Sequence, residues 1–206
     1  MTSAPTTDRE PLTDRGRRRR DALLVAAREV FEQQGFTATR MGDIAAAAGV
    51  SHGTVYTYFE TKESVLSAVV QQVIDDLMTS LRASNAPDPL ERIRDANARY
   101  LAAYAQHARL LRVVEEASFT DEAFRGILEQ LRRTHASRVA TAIRRLQREG
   151  SASTDLDADA SAAALCAMVE GFARHWYGTT EQEPAAAATA TLTTLWARAL
   201  GLSHLE

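Results

Sequence analysis

The chain has 206 residues, of which 45% are hydrophobic and 25% are charged, as is typical of a soluble protein with a packed core. The net charge of −3 does not by itself indicate a nucleic-acid binder, and the single cysteine, Cys166, excludes an intramolecular disulfide. No stretch approaches the roughly 20 apolar residues of a membrane span and no secretory signal is apparent, so we expect a cytoplasmic protein.

The charges are distributed unevenly along the chain. Residues 15–62 carry eight basic and five acidic side chains, whereas residues 63–206 carry fifteen basic and nineteen acidic ones. This asymmetry fits a small positive surface that contacts DNA phosphates, although chance clustering of surface charge gives the same pattern.

The N-terminal residues predict an arm followed by a helix. Residues 1–14 contain two prolines and no apolar period, so we expect them to be disordered, and a first helix is predicted over about 16–34, ended by Gly35. Four arginines at its start repel one another and oppose the helix dipole. We therefore expect them to form a flexible arm along phosphates or in a minor groove, with a solvated charge run as the alternative. These residues are Arg17, Arg18, Arg19 and Arg20.

Two short amphipathic helices separated by a glycine come next. Ile44 and Ala48 lie four residues apart on the first helix, and Val55 and Phe59 lie four apart on the second, so each has one apolar side to bury. Gly49 lies where the first helix must stop, at a position that favours a left-handed backbone. The pattern predicts a helix-turn-helix.

The outward side of the second helix carries small, polar or hydroxyl-bearing residues and no acidic side chain, as expected of a surface that faces phosphates and base edges. The first of these residues, a serine, is also expected to cap the helix. The candidate DNA-contacting residues of this helix are Ser51, His52, Gly53, Thr54, Tyr56, Thr57 and Tyr58.

This segment resembles the N-terminal domain of the tetracycline-repressor (TetR) family of bacterial transcription regulators. The resemblance implies an all-α fold, with a helix-turn-helix domain at residues 15–62 and a larger helical domain for ligand binding and dimerisation at residues 63–204. It also implies a homodimeric repressor that a small molecule releases from an inverted-repeat operator in double-stranded DNA. The positions that match are Phe31 to Gly35, Thr39, Ile44-Ala45, Ala48 to Ser51, Gly53 to Phe59 and Lys62 to Leu66.

Residues flanking the motif are further candidates for DNA contact. By resemblance, Thr39 caps the first helix of the motif and the hydroxyl of Tyr56 contacts the phosphate backbone. Arg40 departs from the family pattern, which more often has Thr or Ser, so a base or minor-groove contact could replace a phosphate contact there. Lys62, the only lysine, lies in the first turn of the next helix, where the dipole disfavours a cation by about 0.3–1 kcal/mol. A phosphate in front of that helix would explain it, and an ordinary solvated lysine is the alternative.

The exposed start of the second helix is the part of such motifs that reaches base edges. Thr54 lies there, and Gly53 permits a close approach of the backbone to DNA. His52 reads a guanine or contacts a phosphate, and Tyr58 packs against the protein or contacts DNA. The sequence leaves both alternatives open.

The rest of the chain is predicted to be helical. Residues 84–87 break a long helix, and the helix after them is followed by a short helical segment at residues 107–116. Ser118 and Asp121 have the spacing of a capping box, which predicts a helix over about 121–149.

Ten residues of this region are candidates for a ligand pocket, because the resemblance implies that some of its aromatic and polar side chains surround a cavity. Their mostly apolar character favours a largely apolar ligand with one or two hydrogen-bonding groups. Each of them fits a core position equally well. They are Asn97, Tyr100, Tyr104, His107, Phe119, Phe124, His135, Met168, Phe172 and Trp176.

The last two predicted helices, at about 157–177 and 184–200, are the candidate dimer interface. Both are rich in alanine and the second also in threonine, which lets helices approach closely, and Leu192 and Trp196 are the expected anchors. The alternative is that these residues pack only within the monomer.

Catalytic and metal-binding patterns are absent from the sequence. It has no Glu-x-x-His or His-x-x-x-His spacing, no Gly-rich phosphate loop and no nucleophile elbow. We therefore expect no enzyme, no bound metal and no cofactor. The alternative functions are a ligand-independent DNA-binding regulator or activator and, more remotely, a helical enzyme acting on a small molecule.

Overall fold

The computed structural model describes residues 13–80, 84, 86–178 and 185–202, and most of the predicted arm lies outside them. Within those ranges the chain forms eight α-helices and no strand, which confirms the predicted all-α fold. The helices are α1 (Asp14–Ala38), α2 (Met41–Ala47), α3 (His52–Tyr58), α4 (Lys62–Ser80), α5 (Pro89–Thr120), α6 (Glu122–Arg148), α7 (Ala158–Trp176) and α8 (Ala185–Leu200).

The chain divides into two compact units, Met1–Val70 and Gln71–Glu206. The division falls inside α4, so this helix contributes residues to both units. The sequence places a domain boundary at the first residue of the same helix.

The N-terminal unit is built on α1, which packs on α2, while α2 packs on α3. Gly35 interrupts α1 with a φ of 76°, as the sequence predicts. Burying each large apolar side chain contributes about 1.5–3 kcal/mol. The buried side chains of this unit include Leu23, Leu24, Phe31, Ile44, Val55 and Leu66.

In the C-terminal unit α5 is the central helix: it packs on α6, α7 and α8, and α6 also packs along α7. The predicted separate segment at residues 107–116 is wrong, because α5 is one helix of 32 residues. Leu110 and Val114 continue its buried face through that segment.

The start of α6 differs from the predicted capping box. Asp121 caps the helix, accepting a hydrogen bond from the Ala123 amide at 2.8 Å. Ser118 has no part in the cap, because it lies in the last turn of α5 and its hydroxyl donates to the Glu115 carbonyl.

Candidate DNA interface and internal cavity

The turn between α2 and α3 has the geometry of a helix-turn-helix. Gly49 adopts a φ of 63°, which confirms the predicted left-handed position. The amide of Val50 donates to the Ala45 carbonyl at 3.0 Å, so the first helix ends in a hydrogen-bonded turn.

Ser51 begins α3 as predicted, and its side chain accepts a hydrogen bond from the Thr54 amide at 3.2 Å. The two hydroxyls of this pair also lie 2.8 Å apart. Val55 and Phe59 are buried, which confirms the apolar side of the helix and fixes which side faces outward.

The outward side of α3 is exposed at His52, Gly53, Tyr56 and Thr57. The imidazole of His52 lies edge-on to the ring of Tyr56, with 5.0 Å between ring centroids. Tyr58 is half-buried, which fits the packing alternative as well as a partial contact. The surface therefore presents donors and acceptors on one short helix without a carboxylate.

Thr39 and Arg40 have roles that differ from the predicted ones. Thr39 is only 1% exposed and its hydroxyl donates to the Gly35 carbonyl at 2.7 Å, so its side chain is turned away from any DNA. The residue that caps α2 is Arg40, whose amide donates to the Asp43 carboxylate at 2.9 Å. The Arg40 side chain is exposed at the start of α2.

The ammonium group of Lys62 is bonded within the protein. It donates to the carbonyls of Phe36, Thr37 and Thr39 at 2.9, 3.2 and 3.3 Å, and it lies 4.5 Å from the centre of the Phe36 ring. These carbonyls are at the C-terminal end of α1, where the dipole favours a cation. The position of the lysine is thus explained without a phosphate, and this geometry does not favour the predicted phosphate contact.

The four arginines at residues 17–20 are helical and do not form a flexible arm. Thr13 caps α1 by accepting from the Gly16 amide at 3.2 Å, and Asp14 pairs with Arg17, so an acidic first residue offsets the unfavourable dipole. The guanidinium of Arg20 lies 5.3 Å from the centre of the Phe59 ring. The other three arginines are exposed.

The C-terminal unit contains a cavity of about 790 Å³. Three predicted pocket residues, Asn97, Tyr100 and His135, lie in its wall. The wall also includes Trp196 and Val139, which the sequence did not mark as pocket residues. Residues from α4, α5, α6, α7 and α8 all contribute to it.

A smaller cavity of about 50 Å³ shares Tyr100 and His135 with the large one and adds Tyr104. The rings of Tyr100 and His135 are stacked with 5.2 Å between centroids. Burial lowers the pKa of His135 to about 4, with the Glu170 carboxylate acting against this shift, and burial raises the pKa of Tyr104 to about 12. At neutral pH both rings are uncharged.

Six predicted pocket residues line neither of these cavities. Phe119 is 82% exposed at the end of α5, and Phe124 is fully buried in the core. Phe172 and Trp176 are half-buried and stack on each other, with 4.9 Å between centroids. Met168, next to them on α7, is also half-buried.

His107, the remaining predicted pocket residue, is buried, and its Nε2 lies 3.5 Å from the carboxylate of Asp76. It therefore joins α5 to α4 instead of facing either cavity. Asn97, which does line the large cavity, has its Nδ2 at 3.5 Å from the Thr193 hydroxyl.

The wall of the large cavity carries more charged side chains than the mostly apolar residues that the sequence predicted for it. Four arginines line it, Arg92, Arg99, Arg138 and Arg145, and the only acidic lining residue in the described part of the chain is Asp75. The sequence missed them because arginines on exposed helix faces look like solvated charges.

The two predicted dimer anchors lie inside the chain. Leu192 is fully buried and Trp196 is 8% exposed, on the side of α8 that packs on α5. This burial favours the alternative that both residues pack within the monomer. The exposed side of α8 carries small residues and Leu195, which is 45% exposed.

None of the helices in the described ranges is long and apolar enough to cross a membrane. Across the same ranges, no three His, Cys, Asp or Glu side chains are grouped so that they could hold a metal ion. Burial raises the pKa of the Cys166 thiol to about 12, so it is protonated at neutral pH.

Comparison with known proteins matches two family models to this chain. The model of bacterial regulatory proteins of the tetR family matches residues 23–69. The model of the tetracyclin repressor-like C-terminal domain matches residues 86–197, which is more than half of the chain.

Individual relatives agree with these matches. The HTH-type transcriptional repressor Rv3405c of Mycobacterium tuberculosis is 35% identical over 102 residues, which are 50% of this chain and 54% of that protein. The match thus spans about half the length of that relative. The HTH-type transcriptional regulator TtgR of Pseudomonas putida is 28% identical over 175 residues, covering 76% of this chain and 79% of that one. A solved tetR-family regulatory protein from Rhodococcus RHA1 superimposes with a TM-score of 0.74 and 25% identity, covering 90% of this chain and 98% of that chain.

Proposed function

Because the chain belongs to the TetR family of bacterial regulatory proteins, we propose that it is a sequence-specific DNA-binding repressor of transcription. The observation that carries the proposal is the outward side of α3, which presents imidazole, hydroxyl groups and a glycine backbone without any acidic side chain. Such a surface meets phosphates and base edges without repulsion.

The DNA contacts divide by the chemistry of the exposed side chains. His52, Thr54 and Arg40 are the candidates for reading bases, because they stand at the start of α3 and the start of α2. Tyr56 and Thr57 have hydroxyls suited to phosphate oxygens and therefore to positioning the helix. The exposed arginines of α1 add sequence-independent attraction to the DNA backbone.

A homodimer is part of the proposal, since TetR-family regulators act as dimers. Two copies of α3 related by a two-fold axis read an inverted repeat, with half-sites about one helical turn apart or slightly more. We place this activity in the cytoplasm, where the chromosome of a bacterium is accessible.

The effector site of the proposed repressor is the large cavity, and the ligand is small and largely apolar. Its volume of about 790 Å³ suits a small molecule, since such pockets commonly measure about 300–1,000 Å³. Asp75 and Met78 of α4 line it, and α4 continues to Lys62 in the N-terminal unit. A ligand that shifts this helix changes DNA affinity if it couples the two sites by about 1–3 kcal/mol.

The test is selection of bound duplexes from random DNA by the full-length protein. We expect an inverted repeat, and recovery of a single asymmetric site bound by one monomer would contradict the proposal. Substituting Arg40, His52 or Thr54 by Ala should change the preferred bases, at about 1–3 kcal/mol for a true base contact. Tyr56→Phe, the matched control, should weaken binding to all sequences alike.

A further inference from the structure

The inner wall of the large cavity is apolar and buried. Side chains from four helices, α5 to α8, form it, and all of them are buried. A hydrocarbon group placed there leaves water, and each additional buried methylene strengthens binding about fourfold. These side chains are Ile93, Ile143, Leu146, Val169, Trp196 and Leu200.

The rest of the wall combines neutral side chains with four arginines. Arg92, Arg99, Arg138 and Arg145 are opposed within the described lining only by Asp75. The Glu149 carboxylate accepts from Arg92 at 2.9 Å and from Arg145 at 2.7 Å, so it neutralises part of this charge. Arg138 donates to a neutral backbone carbonyl, so it keeps a positive charge that complements an anionic group on the ligand.

Arg138 is the arginine whose partner a ligand can replace. Its Nη1 donates to the backbone carbonyl of Met78 at 3.0 Å, and both residues line the cavity. Met78 lies in the last turn of α4, where carbonyls have no partner within the helix. A carboxylate accepts two parallel hydrogen bonds from a guanidinium and binds it more strongly than a single neutral carbonyl does.

We propose that the effector is an amphipathic acid, with one carboxylate on a hydrocarbon group, and that Arg138 binds the carboxylate. The hydrocarbon group occupies the apolar inner wall, and Arg138 leaves the Met78 carbonyl to pair with the ligand. The C-terminal turn of α4 then loses its link to α6, which is the change that weakens DNA binding. This inference rests on the proposed ligand-responsive repressor and adds the chemical class of its ligand.

The first experiment measures binding in the absence of DNA. In a Trp176→Phe protein, Trp196 is the only tryptophan and reports on the cavity that it lines. Decanoate, decanol and decylammonium share one chain and differ in charge. We expect decanoate to bind at least about tenfold more tightly than decanol. Equal binding of decanoate and decanol, or tightest binding of decylammonium, would overturn the proposal.

The second experiment removes the guanidinium. Arg138→Gln should weaken decanoate binding about tenfold and leave decanol within about twofold. Arg148→Gln, an exposed arginine of the same helix outside the cavity wall, is the matched control and should change neither. An equal effect of Arg138→Gln on both ligands, or no effect on either, would contradict the assignment of the head group.

The third experiment measures DNA binding, and it distinguishes failure of this inference from failure of the proposed function. Without ligand, Arg138→Gln should bind a selected operator about tenfold more weakly than wild type, because Met78 has lost its partner. Unchanged operator affinity in this variant would overturn the role of Arg138 in transmission. If unliganded wild-type protein selects no DNA at all, the proposed function fails. Normal selection without a preference for decanoate refutes only the inference.

Discussion

Lys62 illustrates how a single residue can be placed by contacts far along the chain. Its ammonium group holds three carbonyls that lie 23 to 26 residues earlier in the sequence. An ammonium has three donors, and all of them have protein partners here. The group therefore joins the first turn of α4 to the C-terminal end of α1. This link stabilises the unit that contains α2 and α3.

We expect Lys62→Met to lower the free energy of unfolding by about 1–3 kcal/mol, because hydrogen bonds to a charged donor are lost. The measurement is urea unfolding followed by circular dichroism. Arg40→Met is the matched control, since it removes an exposed cation nearby and should change stability by less than about 0.5 kcal/mol. Unchanged stability together with a salt slope lowered by about one ion would instead support a phosphate contact for Lys62.

The role of Trp196, in the C-terminal unit, also depends on contacts with residues that are distant in the sequence. A large aromatic side chain on an alanine-rich helix fits a dimer anchor or a cavity wall equally well in sequence. In the structure Trp196 is buried and lines the cavity. The large apolar side chain that α8 exposes is Leu195.

At the scale of the element, the short helix α3 contains a glycine, Gly53, that neither the backbone conformation nor the packing of the chain requires. Gly53 is helical, and a Cβ added to it would meet nothing within 4 Å. Gly49, in the turn before it, differs because its φ of 63° is strained for any residue with a Cβ. Gly49 is thus required by the fold, whereas we propose that Gly53 is required by close approach to DNA.

Gly53→Ala should stabilise the free protein by about 0.5–1 kcal/mol, since alanine favours a helix over glycine. The same change should weaken operator binding at least about tenfold, because the added methyl keeps the backbone from the DNA. Thermal unfolding and fluorescence anisotropy measure the two effects.

Gly49→Ala provides the comparison, with an expected loss of stability of about 1–2 kcal/mol from the left-handed backbone. If Gly53→Ala left operator affinity unchanged, α3 would not approach DNA closely at that residue and the proposed orientation of the helix would be wrong.

At the scale of the whole molecule, the burial of Leu192 and Trp196 within one chain favours a dimer interface made by other residues. The exposed sides of α7 and α8 are rich in alanine, including Ala163 and Ala167, and α8 adds exposed threonines such as Thr191 and the apolar Leu195. Small side chains allow helices of two protomers to approach closely, and we propose these sides as the contact.

Leu195→Glu should raise the dissociation constant of the dimer at least about a hundredfold, because a carboxylate would be buried without a partner. Sedimentation velocity across micromolar concentrations measures the change. Phe119→Glu is the control, since it places the same charge on an apolar residue that is 82% exposed at the end of α5. Dimerisation that survived Leu195→Glu would place the interface elsewhere.

The sequence alone determined those features that depend on neighbours a few residues away. The turn at Gly49, the break at Gly35 and the cap at Ser51 each follow from what one residue does to its own backbone or to amides within one helical turn. Because the helix-turn-helix depends largely on such local signals, its two helices and the turn between them could be predicted from the sequence, whereas the burial of Thr39 could not.

Only the tertiary structure decided which side chains face one another across distant parts of the chain. Arg138 reaches a carbonyl 60 residues away, and a periodic pattern marks it simply as an exposed arginine. Trp196 and Thr39 are likewise assigned by burial that depends on several packed helices. Hydrophobic period fixes which side of a helix is buried but not which neighbour it meets, so the cavity, its charge and the role of Lys62 required the fold itself.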